Sequence, residues 1–267
     1  MTKYKKIKNL FVFIPFLLLI NCAIKERMEA TAVPTYVEKP PELIWQDATR
    51  YLRNKNYTEA ASTFEEIDKQ HPYSKLAKKG QVMAAYTYYV ANDYANSIFS
   101  IDRFISLYPA DKKTIPYMLY LKGLCYYEQI KDVNLDQEPS RKAKYAYQAL
   151  IKKYPNSKYI KDVKKKMLLV NDQLAAQEMN IGRYYQKKNR HLAAIKRFKV
   201  VVENYDTTAQ IPEALYRLTQ SYLSLGIIQE AKKTTSVLAY NYKKSNWYKL
   251  SYELLKKYGY KKNGKKS

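Results

Sequence analysis

Five positions organise this 267-residue chain: Pro72, Pro109, Pro155, Asp206 and Lys243. Twelve residues before them stand Ala60, Ser97, Ala143, Ala194 and Ala231, all small. Eight before stand Phe64, Ile101, Tyr147, Phe198 and Thr235, mostly bulky. Five before stand Ile67, Phe104 (with Ile105 beside it), Leu150, Val201 and Leu238. In four segments Tyr51, Tyr88, Tyr185 and Tyr222 precede the anchor by 21, and Ala48, Ala85, Gly182 and Thr219 by 24. In the third, Gly123 and Tyr126 take those places at an offset. A period of this length marks stacked supersecondary units, none of which buries its apolar face alone. The small residues let two antiparallel helices approach closely, and the bulky ones fill the groove between neighbouring hairpins. Proline ends the second helix because it lacks an N–H and clashes with the preceding turn. The pattern predicts an all-α solenoid of five helical hairpins over residues 43–243.

This small–Tyr–small–bulky–Pro spacing resembles the tetratricopeptide (TPR) repeat. Lys55-Asn56 and Asn92-Asp93 fall at turns within hairpins, and Ser74, Ser157 and Ser245 fall where the next helix needs a cap. The anchor spacings are 37, 46, 51 and 37. The third hairpin carries about eight extra residues near Lys131 to Pro139, a surface loop and a candidate for contacts. In the fourth, Ile160, Val163, Met167, Val170, Leu174, Gln177, Ile181 and Tyr184 alternate by three and four. That seam predicts one continuous helix of roughly 45 Å, joining a block of three hairpins to a block of two.

The N-terminus reads as a targeting segment. Lys3, Lys5, Lys6 and Lys8 precede an apolar stretch from Leu10 to Ile20, too short for a comfortable membrane span. It ends in Leu19-Ile20-Asn21-Cys22, which resembles a bacterial lipobox except at Asn21, where a small residue is usual. The alternative is an ordinary signal peptide with a chance cysteine. The lipobox reading makes Cys22 the lipidated first residue of the mature chain, carrying diacylglycerol and an acyl chain. Ala23 after it points to the outer membrane. Pro34, Pro40 and Pro41 stiffen an extended tether. The expected organisation is a signal peptide over 1–21, a lipid-anchored tether over 22–41, an N-terminal TPR block over 42–157, a C-terminal block with the long linking helix over 158–255, and a basic tail over 256–267.

Composition excludes more than it assigns. Six glycines leave no phosphate-cradling loop, and the two histidines, His71 and His191, form no metal-ligand spacing. His71 stands at a helix end and His191 at a turn, where it reads as solvated. Two cysteines exclude a disulfide scaffold, and Cys125 sits within a repeat helix as a buried, inert thiol. No catalytic residue, metal or cofactor other than the lipid is expected. The formal net charge of +24 comes mainly from lysine, with only nine arginines. Lysine beside abundant Tyr, Asn and Ile fits A/T-rich coding; the alternative is an acidic partner such as lipid head groups or nucleic acid, and lysine spread along every helix argues against the latter. The 29 tyrosines pack between helices, with some left for a groove.

Local sequences go beyond the generic repeat. His71-Pro72-Tyr73-Ser74, Ala84-Ala85-Tyr86-Thr87-Tyr88-Tyr89, Ile101-Asp102-Arg103-Phe104-Ile105-Ser106-Leu107-Tyr108-Pro109, Tyr154-Pro155-Asn156-Ser157 and Ala193-Ala194-Ile195-Lys196-Arg197-Phe198 form a series. It resembles the BamD family, TPR lipoproteins of the machinery that assembles β-barrels in Gram-negative outer membranes. One departure is Leu135-Asp136-Gln137, where relatives often carry an arginine in a similar acidic loop. The resemblance implies a non-catalytic scaffold, lipid-anchored to the outer membrane and facing the periplasm. Its N-terminal repeats would receive the C-terminal strand of an unfolded barrel protein, for which Tyr51, Tyr86 and Tyr89 are the expected contacts, supported by Asp102 and Arg103. Its C-terminal repeats would dock on the POTRA domain of a BamA-type barrel, with Arg197 as a forked donor. Accessory lipoproteins of the same machinery are further possible partners, and nucleic acid is not expected. The rival is another envelope TPR lipoprotein, such as a pilotin-like secretin assembly factor.

Overall fold

The computed structural model describes residues 38–258; the expected signal peptide, Cys22, most of the expected tether and most of the expected basic tail lie outside them. The chain divides before Pro41, and residues from Pro41 onward form a compact unit of their own. Among the described residues there are eleven helices and no strand. Five hairpins follow one another: α1 (Pro41–Arg53) with α2 (Tyr57–Gln70), α3 (Lys75–Val90) with α4 (Tyr94–Leu107), α5 (Ile115–Glu128) with α6 (Glu138–Lys153), α7 (Ile160–Lys187) with α8 (His191–Asn204), and α9 (Ile211–Ser224) with α10 (Ile228–Asn241). A last helix, α11 (Asn246–Lys257), closes the stack against α9 and α10. The fold is the all-α solenoid that the repeat predicts.

The repeat positions are the core. Ala60, Ser97, Ala143, Ala194 and Ala231 are all fully buried, as are Phe64, Ile101, Tyr147 and Phe198 and the row from Ile67 to Leu238. Burying each large apolar side chain is worth about 1.5–3 kcal/mol, against 0–1 for an exposed ion pair, so these rows hold the hairpins together.

Each second helix ends two residues before its anchor, and the five ends share one geometry. The N–H groups of His71, Tyr108, Tyr154, Tyr205 and Tyr242 donate to the carbonyls of Ile67, Phe104, Leu150, Val201 and Leu238. Their own carbonyls accept from Ser74, Asp111, Ser157, Thr208 and Ser245 N–H. Ser74 and Ser245 cap the following helices through their hydroxyls. Ser157 accepts from Tyr159 N–H at 3.4 Å, one turn ahead of α7. Within hairpins, Lys55, Asn92, Asn189 and Gly226 all adopt left-handed backbone. Each lies seventeen residues before its anchor. The third hairpin lacks this turn because the insertion replaces it.

That insertion, residues 129–137, is the expected surface loop, closed by its last residue. Gln137 is fully buried. Its amide donates to the carbonyls of Asp132 and Leu135, and its oxygen accepts from Ser140 Oγ. Gln173 and Asn180 of α7 bond to Lys131 O and Asn134 Oδ1 across the gap. The long helix is continuous for 28 residues, about 42 Å at the usual rise. Val163, Val170 and Leu174 pack into the cluster of the third hairpin, while Ala175 and Met179 pack into the cluster of hairpins four and five.

Candidate functional site

Helix order decides which side faces inward. First helices of successive hairpins touch: α1 with α3, α3 with α5, and α7 with α9. No comparable contact joins the second helices among the described residues. A stack whose first helices crowd together curves toward them, so α1, α3, α5 and α7 line the inner face.

Between α5 and α7 side chains make the link. Tyr120 stacks on Tyr159 with ring centroids 4.7 Å apart, and Tyr117 meets the same ring at 5.8 Å. The Tyr120 hydroxyl donates to Asp162 Oδ2 at 2.8 Å. Burial, then this bond to a carboxylate, pushes the Tyr120 phenol well above its usual range; burial does the same for Tyr117. Tyr89 of α3 packs with Tyr117 against one core cluster, and Tyr86 stands three residues before it on the same helix. Tyr89 meets Tyr94 at 6.0 Å, and its phenol is raised by burial and then by Glu128. The raised phenols of Tyr89, Tyr117 and Tyr120 keep their protons. They combine apolar rings with hydroxyls, the chemistry that suits an extended aromatic-rich strand.

The expected site residues fall into separate places. Tyr86, 40% exposed, and Tyr89 belong to the tyrosine tract. Tyr51 lies on α1, half-buried beneath the Arg50 guanidinium at 5.7 Å, and joins neither ring. Asp102 and Arg103 lie on α4, a second helix, and are engaged between hairpins. Asp102 accepts from Lys122 of α5 at 2.6 and 2.9 Å, and Arg103 holds the buried Asp68 of α2. Arg197, on α8, donates from Nη1 to Glu178 of α7 at 3.1 Å and remains 42% exposed. Tyr117, Tyr120 and Tyr159 were not picked out by the repeat, although Tyr216 and Trp247 hold the places of Tyr120 and Tyr159 in α9 and α11 and meet at 5.2 Å; that recurring ring pair is the signal that could have found them.

The remaining candidates carry no chemistry of their own. Cys125 is fully buried, donates to Ser97 Oγ at 3.2 Å, and has its thiol pushed up to about 11 by burial. His71 caps α2 through its backbone. His191 differs from the solvated residue expected: it is half-buried at the first position of α8, with Nδ1 turned inward. Among the described residues no group of three His, Cys, Asp or Glu could hold a metal, and no helix is long and apolar enough to cross a membrane.

Comparison with known proteins places this architecture. Residues 37–238 match the model of the family described as YfiO, outer membrane lipoprotein. The chain is 44% identical over 220 residues to the outer membrane protein assembly factor BamD of Caulobacter vibrioides, covering 82% of this chain and 72% of the relative. It is also 44% identical over 219 residues to BamD of Rickettsia prowazekii, covering 82% and 87%. Among solved structures it is similar to the TPR2AB domain of yeast Sti1, at 12% identity and a TM-score of 0.44, covering 82% of this chain and 85% of that one.

Proposed function

The chain belongs to the YfiO family of outer membrane lipoproteins, whose BamD members are assembly factors and not enzymes, and from that premise we propose how its two ends divide the work. Cys22 carries the lipid that anchors the chain in the inner leaflet of the outer membrane, with the body in the periplasm. Hairpins one to three, residues 42–157, receive the C-terminal strand of an unfolded barrel protein. Hairpins four and five, residues 158–255 with the long helix, dock on the POTRA domain of a BamA-type barrel.

The observation that carries the reading is the tyrosine tract on the inner face, from Tyr86 and Tyr89 to Tyr117, Tyr120 and Tyr159. A barrel strand is extended and amphipathic. The rings offer it apolar area, and the hydroxyls other than that of Tyr120, which Asp162 holds, offer its backbone hydrogen bonds. Tyr51 extends the face by one hairpin. Asp102 and Arg103 act indirectly, by fixing α4 against α2 and α5 and so setting the spacing of α1, α3 and α5. Arg197 offers POTRA the part of its guanidinium that Glu178 leaves exposed.

A photo-crosslinking residue at Tyr86, compared with one at exposed Tyr240 of α10, tests the client face. Capture of a peptide bearing a barrel C-terminal strand at Tyr86 alone is expected. Equal capture at both positions would remove the inner face from the mechanism.

A further inference from the structure

We propose that a lysine-walled cleft beside the tyrosine tract binds the phosphate of anionic membrane lipid headgroups. The cleft lies between two turns, the one entering α5 and the one entering α7, and its volume is about 670 Å³. Lys112 and Lys113 come from the first turn, Lys153 and Lys158 from the second, and Tyr154 and Tyr159 complete the wall.

Charge is the first argument. Seven other lysines in the body pair with carboxylates: Lys69, Lys78, Lys122, Lys142, Lys166, Lys199 and Lys233. None of the four cleft lysines has a carboxylate partner among the described residues. The nearest acid in sequence, Asp111, is held by Lys78 at 2.6 Å and by the N–H groups of Lys113 and Thr114. The Lys158 ammonium lies over the Tyr159 ring at 5.2 Å. Four ammonium groups around one concavity repel one another, and a bound anion relieves that repulsion.

Position is the second argument, and it selects the occupant. In a stack of antiparallel hairpins, every first helix starts at the edge where every second helix ends. The cleft is on that edge, and so is the start of α1, where the chain enters the body from residues 38–40. The same edge carries Lys75, Lys243 and Lys244, and also Tyr73, whose side chain is wholly exposed. Basic groups beside exposed aromatic rings fit the headgroup layer of a bilayer, and each lysine near an anionic surface adds attraction. The choice of a lipid phosphate over a soluble one rests on the tethered reading of the N-terminus.

The test uses the chain begun at Ala23, since the body from Pro41 is a compact unit of its own and no lipid then anchors it. Flotation is measured with vesicles of phosphatidylcholine alone and of equal parts phosphatidylcholine and phosphatidylglycerol. The K112Q/K113Q/K153Q/K158Q variant is compared with K55Q/K131Q/K187Q/K188Q, which removes the same charge from the opposite edge. Circular dichroism confirms that both are folded. The expected result is binding to the anionic vesicles only, weakened by about 600-fold in the cleft variant, at roughly fivefold for each of its four lysines, and little in the other. Equal weakening in both variants would reduce the effect to net charge and overturn the site. Absence of vesicle binding would overturn it too. So would inorganic phosphate, a DNA duplex or an acidic peptide occupying the cleft lysines where vesicles do not. Failure of the anchor is read separately, from the mass of the mature N-terminus at Cys22.

Discussion

The Tyr147 ring of α6 fills the space that a side chain on Gly123 of α5 would need, and Phe198 of α8 stands in the same relation to Gly182 of α7. The two glycines are small members of the repeat that face aromatic bulky members. In an exposed helix, Gly→Ala gains about 1 kcal/mol from backbone preference. Here the new methyl group overlaps a fully buried ring, and overpacking of this kind costs about 1–3 kcal/mol. Packing wins, so Gly123→Ala and Gly182→Ala each lower the urea midpoint without changing the slope. An unchanged or raised midpoint would show that the rings can move aside.

Arg103 stands in the motif that most resembles the family, yet it holds Asp68 on the neighbouring hairpin, 35 residues away. Asp68 is 7% exposed at its side chain and Arg103 is 40% exposed. The pair therefore falls between an exposed bridge, worth under about 1 kcal/mol, and a buried one whose breaking costs about 3–5. Arg103→Ala is expected to lose about 1–2 kcal/mol of stability. Asp68→Asn/Arg103→Ala together should lose less than the sum of the two, because neither leaves a buried charge alone. An additive double mutant, with client crosslinking at Tyr86 abolished in a fully stable Arg103→Ala, would make Arg103 a client contact instead.

Asp111 gives the body an acid limb. Burial alone would raise its carboxyl, but the Lys78 ammonium and the Thr114 and Lys113 groups win and hold it down to about 2. A folded-state value below the unfolded one means that its stabilisation is complete above about pH 4 and is lost as pH falls toward 2. Asp111→Asn should lower stability at pH 7 and flatten the pH dependence between 4 and 2. Retention of the wild-type slope in thermal melts across that window would assign the limb to other carboxylates.

The hairpins were legible in the sequence because their core positions recur. Ala60, Phe64 and Ile67 have counterparts in every second helix, and all of these are buried. The turns within hairpins were less legible. Lys55, Asn92, Asn189 and Gly226 share a left-handed backbone but no residue type, since lysine, asparagine and glycine all meet that demand at different cost. The candidate site was least legible. Tyr120 reaches Asp162 across 42 residues, and Asp68 meets Arg103 across 35. Ser100 with Glu65 and Gln186 with Ser221 also lie 35 apart, and Gln173 with Lys131 lies 42 apart, but the residue types differ from pair to pair, so the separation alone does not announce them. The motif around Asp102 and Arg103 marked a joint between hairpins, and of the neighbouring tyrosines on α3 and α5 Tyr86 is the exposed one.

Arg197 has a partner inside the body as well as the one proposed outside it. Its Nη1 lies 3.1 Å from Glu178, on the companion helix of the same hairpin. The bond closes a hairpin already fastened by Ala194, Phe198 and Val201, so its loss should cost under about 1 kcal/mol. Arg197→Leu is therefore expected to leave the urea midpoint nearly unchanged and to weaken POTRA binding about tenfold or more, as removal of a forked donor does. Glu178→Gln makes the opposite change, freeing the guanidinium, and should leave binding intact. Unchanged affinity in a pull-down of the POTRA-bearing barrel by Arg197→Leu would confine the arginine to its bond with Glu178.

Gln137 supports the last expectation. It ends the 129–137 insertion with no exposure, and its amide satisfies Asp132 O, Leu135 O and Ser140 Oγ at once. Gln137→Ala would leave two carbonyls and a hydroxyl without their buried partner, at about 1–3 kcal/mol. That cost falls on the loop, because the third hairpin is held independently by Ala143, Tyr147 and Leu150. Hydrogen exchange should therefore accelerate across residues 131–137 and not in α6. The loop's two bonds to Gln173 and Asn180 depend on the same closure. Slowed exchange, or faster exchange spread evenly through α5 and α6, would show that the insertion is fastened by its helices and not by this side chain.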